Sequence, residues 1–334
     1  MKKTAFALLL AASLSTANAQ QDAGSLKESA RASMQKGDFD NALLLLNKAK
    51  ELQPADADLT KELAYVNYLR RDYAKTIELS KTLADKNQAD EQAYQVWGMA
   101  YKAIAEYDEG DHMYKRALKV YPNSGVLYSE HGDLLSLKKE TGEAIRQWEK
   151  GIEVAPSYSG NYYHAAKYYQ ENGTPLWSWL YGETFINLES LSGRTVEIKT
   201  VLLSDFRQLL SPGALTNAAK GSNAFAKAVA ETLGKSAGGS AEVTAASLTT
   251  LREKFISEWF AGNATKFPFR LFDHQKQLVS QKMFESYNQW IFGAAINTTD
   301  FKEWITAHEA EIKAFQDYER NALFKVPAGQ YYNK

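Results

Sequence analysis

The 334-residue chain contains no cysteine. That excludes disulfides, thiolate zinc sites, a cysteine nucleophile and lipid attachment at an N-terminal cysteine. An excess of either charge is missing too: 39 Lys and Arg stand against 40 Asp and Glu, for a formal net charge of −1. No broad field therefore recruits nucleic acid or anionic lipid. Past the first twenty residues or so, no apolar run approaches the ~20 residues that a spanning helix needs. No alternating strand pattern of useful length occurs, so the chain reads as helical throughout. Aromatic residues break this sparseness. With 19 Tyr, 15 Phe and 7 Trp they make up 12% of the chain, and they read as packing keys before they read as binding surface. At 45% hydrophobic, the sequence is ample for two domains with real cores.

Lys2 and Lys3 precede an apolar stretch from Ala5 to Leu14, and Ala17-Asn18-Ala19 forms a small-x-small site. This pattern predicts a secretory signal peptide over residues 1–19, cut before Gln20. The apolar stretch is about half of a membrane span, which argues against a retained anchor. The expected product is an exported chain of bacterial type, periplasmic or secreted.

Residues 20–158 repeat at a period of roughly 34. Lys36-Gly37-Asp38-Phe39-Asp40-Asn41-Ala42 is followed by Pro54, and later periods carry Asp72-Tyr73-Ala74, Glu106-Tyr107-Asp108 with Pro122, and Gly142-Glu143-Ala144 with Pro156. Small residues recur in step at Ala30, Ala64, Gly98, Gly132 and Ala166, then at Ala42, Thr76, Gly110, Ala144 and Ser178. A third small column holds Ala49, Ala117 and Gly151, with Leu83 as its exception. Larger residues such as Leu63, Trp97, Tyr101, Tyr114, Leu135 and Trp148 fill the holes between them. Small against large at fixed spacing predicts four helix pairs packed ridges into grooves. Gln88 replaces one of the prolines that end the second helix of a pair, which predicts a softer boundary there.

Residues 159–191 read as a degenerate fifth repeat and junction. Asn172-Gly173 makes a turn, Thr174 can cap and Pro175 can open a helix. That helix carries Trp177, Trp179, Tyr181 and Phe185, too bulky for a solvated last helix. Residues 192–334 read as a non-repeat helical domain. Thr195 can cap a helix to about Leu210, and Asn223 a shorter one ending near Leu233. Residues 234–240 are expected to form a mobile Gly/Ser/Ala loop. Leu248, Leu251, Phe255 and Trp259 mark an amphipathic helix. Residues 267–272 read as an extended connector, Asp273 as the cap of a helix with Phe284, Tyr287 and Ile291, and Thr299 to about Leu323 as one last long helix.

The four repeats resemble tetratricopeptide repeats at most of that family's small, large and proline positions. Gly182 to Glu189, with Arg194 to Ile198 and the connector from Phe267, is similar to a box in uncharacterised secreted bacterial repeat proteins. The resemblance implies an all-α, TPR-type α-solenoid of antiparallel helix pairs followed by a helical C-terminal domain, and a role in protein–protein contact. It also implies a concave groove lined by the first helix of each pair. Carried onto this chain, that face offers Lys27, Arg31, Lys61, Tyr65, Tyr68, Met99, Lys102, Tyr163 and Lys167, with Gln95, Ser129 and Asp133 between them. The face has a basic tilt and several tyrosines, suited to an extended peptide. The family's clamp for a peptide carboxylate is not reproduced: Lys27 fits, whereas Arg31, Glu62, Gln92 and Val96 do not.

Other chemistry has weaker support. Gly234-Lys235-Ser236-Ala237-Gly238 matches G-x-S-x-G but lacks the strand that a nucleophile elbow requires. The histidines are scattered, and His308-Glu309 is followed by Ile312 where a zinc protease needs its second histidine. Glu183, Glu189 and Glu197 are the carboxylates nearest the aromatic junction, and a hydrogen-bonded structural role is the expected one for Glu183. The sequence thus predicts an exported, non-enzymatic interaction scaffold without metal or cofactor, binding a protein or peptide and no nucleic acid. The competing expectation is a cell-envelope glycan binder or enzyme with its site around Trp177 and Glu183.

Overall fold

The computed structural model describes residues 22–220, 222–238 and 242–333, so the leader predicted over 1–19 lies outside the described residues. Among them all regular structure is helical, and no helix is long and apolar enough to cross a membrane. The chain divides into two compact units. One comprises the described part of Met1–Pro122 with Asp133–Glu140, and the other Asn123–Gly132 with the described part of Thr141–Lys334.

In the first unit, α1 (22–35) and α2 (Phe39–Leu52), α3 (Ala57–Leu69) and α4 (Tyr73–Asp85), and α5 (Glu91–Ala103) and α6 (Tyr107–Val120) form consecutive antiparallel pairs. Aspartates start four of these helices. Asp38, Asp56, Asp72 and Asp90 each accept a hydrogen bond from a backbone N–H of the first turn, which satisfies donors that a helix start leaves open. The recurring small residues are where the helices cross. Ala30, Ala42, Ala49, Ala64, Thr76 and Ala117 are buried at 0–1% exposure. A Cβ on Gly98 would collide with the Tyr114 phenol, and one on Gly132, in the second unit, with the Trp148 indole. The period in the sequence is therefore a packing period.

The turn inside each pair keeps the same period. Gly37, Arg71, Ala105, Lys139 and Gly173 all have left-handed backbone, with φ between 59° and 77°. After each of them the next residue's N–H reaches back to the helix, as in Asp38 to Ser33 at 2.9 Å, Asp72 to Asn67 at 2.9 Å and Thr174 to Tyr169 at 2.8 Å. This is the Schellman ending of a helix. Where the sequence lacks a proline after α4, left-handed Asn87 (φ 55°) ends the helix instead.

The second unit contains the start of α7 (Gly125–Leu137), then α8 (Thr141–Val154), α9 (Ser159–Glu171), α10 (Pro175–Leu188) and α11 (Gly193–Leu209). It continues through α12 (Ala214–Ala219), α13 (Ala224–Ala237), α14 (Ala245–Gly262), α15 (Arg270–Ser280) and α16 (Phe284–Asn288). A π turn at Gln289–Gly293, α17 (Ala294–Ile296), α18 (Thr298–Ala307), α19 (Glu309–Asn321) and an extended tail over 322–333 complete it. The α9–α10 pair carries the regular turn at Gly173, so the fifth repeat departs from the pattern in its side chains and not in its backbone. Every residue of α10 from Leu176 to Asn187 is buried.

Several boundaries differ from the sequence reading. Ser192, not Thr195, precedes α11, while the Thr195 hydroxyl donates to the Glu189 carbonyl. Thr174 makes no side-chain cap, although Pro175 does open α10. Residues 234–237, expected in a loop, are the last turn of α13, because Leu233 and Ser236 are buried and hold that turn down. The connector is extended only to Phe269, and α15 begins at Arg270, ahead of Asp273. Left-handed Lys282 separates α15 from Phe284, Tyr287 and Ile291. The long last helix is two, broken at His308, whose Nδ1 sits 2.9 Å from the Trp304 carbonyl and whose ring stacks on Trp304 at 4.5 Å.

Candidate functional site

The first helices of the pairs in the first unit place Lys27, Lys61 and Gln95 in one column, and Arg31, Tyr65 and Met99 in the next, one helical turn on. Most of the cations are already engaged. Arg31 donates through Nε to Glu62 on α3 at 2.8 Å and pairs with Glu28 at 3.0 Å. Lys61 reaches Asp58 at 2.7 Å and, on α5, Asp90 at 2.6 Å. Asp90 thus caps its own helix with one oxygen and receives a neighbouring helix's lysine with the other. Lys102 stands 3.7 Å from Asp133. Hydrogen bonding from Lys61 pulls the Asp58 carboxyl below its usual range.

The basic tilt expected on this face is therefore a ladder of alternating charge. Such pairs contribute about 0–1 kcal/mol each when exposed, but they set the register between pairs of helices. Lys27 has no ion-pair partner within 4 Å among the described residues. Tyr65 is 36% exposed and has neither a hydrogen bond from its side chain nor a ring partner among them. Tyr68 leans on Tyr73 at 5.8 Å, and Met99 is half-buried.

In the second unit the expected groove residues are tied to α11. Glu197 accepts from the Lys167 ammonium and from the Tyr163 hydroxyl, each at 2.6 Å. These bonds, Lys167 first, hold the Glu197 carboxyl below the ordinary range. Arg194 lies over the Tyr163 ring at 5.0 Å and pairs with Glu189. Ser129 is buried, and its carbonyl accepts the Trp148 indole N–H at 3.2 Å. Tyr163 and Lys167 thus tie α9 to α11 at a partly exposed surface, and Ser129 lies in the packing of this unit.

The carboxylate considered for glycan chemistry is sealed. Glu183 has 0% exposure and accepts from the Trp179 indole at 2.6 Å, the Gln275 amide at 2.7 Å and the Tyr287 hydroxyl at 2.8 Å. Arg252, also fully buried, completes the shell and donates in addition to Asn288. The guanidinium is boxed by the rings of Phe206, Phe284, Tyr287 and Phe292, each 5.3–5.6 Å away. Both Glu183 oxygens are occupied and no solvent reaches them, so the group is a structural keystone and not a general acid. Trp177 is likewise only 9% exposed. The Gly234–Gly238 string lies at the end of α13, with no strand before it. His164 stacks on Trp148 at 5.1 Å, a packing role.

Sequence reasoning missed Arg252, whose position on the buried stripe of α14 carries no local signal of its partner. It also missed the left-handed turns at Arg71, Ala105 and Lys139, because no glycine marks them. The tail over 322–333 passed unread, although an aromatic pair beside the C terminus was its one visible sign.

No family model matches the chain. Solved structures similar to it include a thermophilic tetratricopeptide repeat protein of Thermus thermophilus, at 18% identity over 54% of this chain and 99% of that one, TM-score 0.46. A tetratricopeptide repeat protein from Parabacteroides merdae matches at 16% identity over 89% of this chain and 99% of its own, TM-score 0.44. YrrB, described as a TPR protein with an unusual peptide-binding site, matches at 16% identity over 54% of this chain and 93% of its own, TM-score 0.38.

Proposed function

We propose that this chain is an exported, non-enzymatic scaffold that holds an extended peptide or a protein segment along the faces of α1, α3 and α5. Tyr65 carries the reading. It is a large ring left open and unpartnered among the described residues, with Lys61 one turn before it and Met99 at the same position of the next pair. Tyrosine offers contact area at low entropic cost, and a mixed-charge ladder around it matches a ligand bearing both signs.

Panning a random peptide library against the chain from Gln20 onward tests this. Peptides selected on the wild type should lose roughly tenfold or more in affinity to Tyr65→Ala or Met99→Ala, while circular dichroism stays unchanged. Equal binding to wild type and variants would remove the site from this face. Export is tested separately, by sequencing the N terminus of protein recovered from envelope and culture fractions. A chain beginning at Gln20 supports it, whereas an uncut chain confined to the cytoplasm refutes it.

A further inference from the structure

The second unit holds an aromatic cleft that is already occupied. Its walls are Trp177 and Tyr181 on α10, Phe225 on α13, and Phe267 and Phe269 of the connector. The occupant is the chain's own tail. Tyr332 stacks on Phe225 with ring centres 4.3 Å apart, and its hydroxyl donates to the Pro268 carbonyl at 2.8 Å. The Tyr332 carbonyl accepts the Asn223 side-chain amide at 2.7 Å. The Gln330 side-chain oxygen accepts the Arg270 backbone N–H at 2.6 Å, supplying the first turn of α15 with the partner its own sequence lacks.

One residue further, Asn333 donates to Glu149 and, at 2.6 Å, to the Tyr169 hydroxyl. Glu149 has no cation beside it among the described residues. It accepts instead from Tyr169 at 2.7 Å and Tyr181 at 3.2 Å, and Tyr331 adds a further bond. With the tail in place, only about 20 Å³ of cavity remains. Residues 330–333 thus have a ring slot, a backbone clamp and two amide sockets, the components of sequence-specific recognition of an extended peptide. These contacts join side chains to a segment that has no helix of its own.

The tail hangs from the rest of the unit by a bare turn: exposed Pro327, Ala328 and left-handed Gly329 (φ 84°) turn it back from the anchored Phe324 and Val326. We propose that this cleft is a recognition site for the Gln330–Asn333 sequence itself, and that a second copy of this chain supplies the same segment in trans, linking copies by tail exchange. The exchanged contacts are identical to the ones described, so the cost is chiefly the loss of tethering. A short tether holds the segment in cis at an effective concentration of order mM. Exchange is therefore favoured where the chain is concentrated or the turn is disabled. The inference concerns a surface separate from the α1–α3–α5 face and stands independently of it.

The test shortens the turn. The chain from Gln20 lacking Ala328 and Gly329 should no longer fold the tail back, and light scattering should show it shifted toward a dimer relative to the intact chain at the same dilution. A synthetic peptide with the sequence of residues 327–334 should convert that dimer into peptide-bound monomers. The same peptide with Tyr332→Ala should be weaker by roughly tenfold or more. The shortened chain carrying Tyr332→Ala should itself be monomeric. The proposal is overturned if the shortened chain stays folded and monomeric. A dimer that resists the peptide, or one that persists with Tyr332→Ala, overturns it equally. If the shortened chain fails to fold, isotope-labelled wild type titrated with the peptide decides the matter: displaced Tyr331–Asn333 resonances support exchange, and unmoved ones refute it.

Discussion

Asp205 is buried at 0% exposure with one oxygen bonded to the Ser178 hydroxyl at 2.6 Å and the other without a partner among the described residues. Burial pushes its carboxyl up to about 7, against the opposing effect of that hydrogen bond. A raised value means that the neutral form is the one the fold favours. Stability from this group is full below the unfolded value near 4 and is lost as pH rises through 7. Asp205→Asn keeps an acceptor for Ser178 and removes the charge. It should be more stable than wild type at pH 8, by on the order of a few kcal/mol, and melt correspondingly higher, with the difference shrinking toward pH 4. Melting curves at several pH values check this, and a gap that stays constant with pH would refute it. Nothing in the sequence singles out Asp205, because its burial and its bond to Ser178 on α10 arise from packing between helices. Glu183 could be singled out, since it sits inside an unusually apolar helix. Its partner Arg252, far along the chain, could not.

At the scale of the helix, what repeats is legible and what is borrowed is not. The paired helices, their crossing points and the prolines that end them follow from side-chain size at one period, and the structure buries those alanines and glycines as that period requires. Boundaries in the second unit are set by partners from elsewhere: Gln330 supplies the start of α15, and Glu189 draws the Thr195 hydroxyl out of a capping role. The left-handed turns lie between these cases. Arg71, Ala105 and Lys139 adopt the same backbone as Gly37 and Gly173, at a conformational cost that glycine avoids. Arg71→Gly and Lys139→Gly should each stabilise the chain by up to about 1 kcal/mol, the ~1–2 kcal/mol cost of left-handed backbone less the entropy that glycine adds to the unfolded chain, measured as a rise in the urea midpoint at unchanged slope. A fall in midpoint would mean that these side chains make contacts worth more than the strain.

Considered as a whole, the chain joins two modes of stabilisation. In the first unit each helix pair leans on its sequence neighbours, and the ladder of Arg31, Lys61 and Lys102 keeps them in step. In the second, the Glu183–Arg252 pair gathers α10, α14, α15 and α16 around one buried charge couple. Removing one member of such a couple strands the other and costs about 3–5 kcal/mol. In Glu183→Ala, hydrogen exchange should therefore quicken across α10, α11, α14 and α16, while α1 to α4 keep their wild-type protection. Uniform loss across both sets would show that the chain unfolds as one cooperative block.

The last described side chain, Asn333, rests on Glu149 and Tyr169, well inside the second unit's polar framework. A bulky label attached at position 333 should drag on that anchor and unseat the stacked ring beside it. A label on an exposed loop is the gentler choice, and reporters carried on this tail would read out an altered molecule.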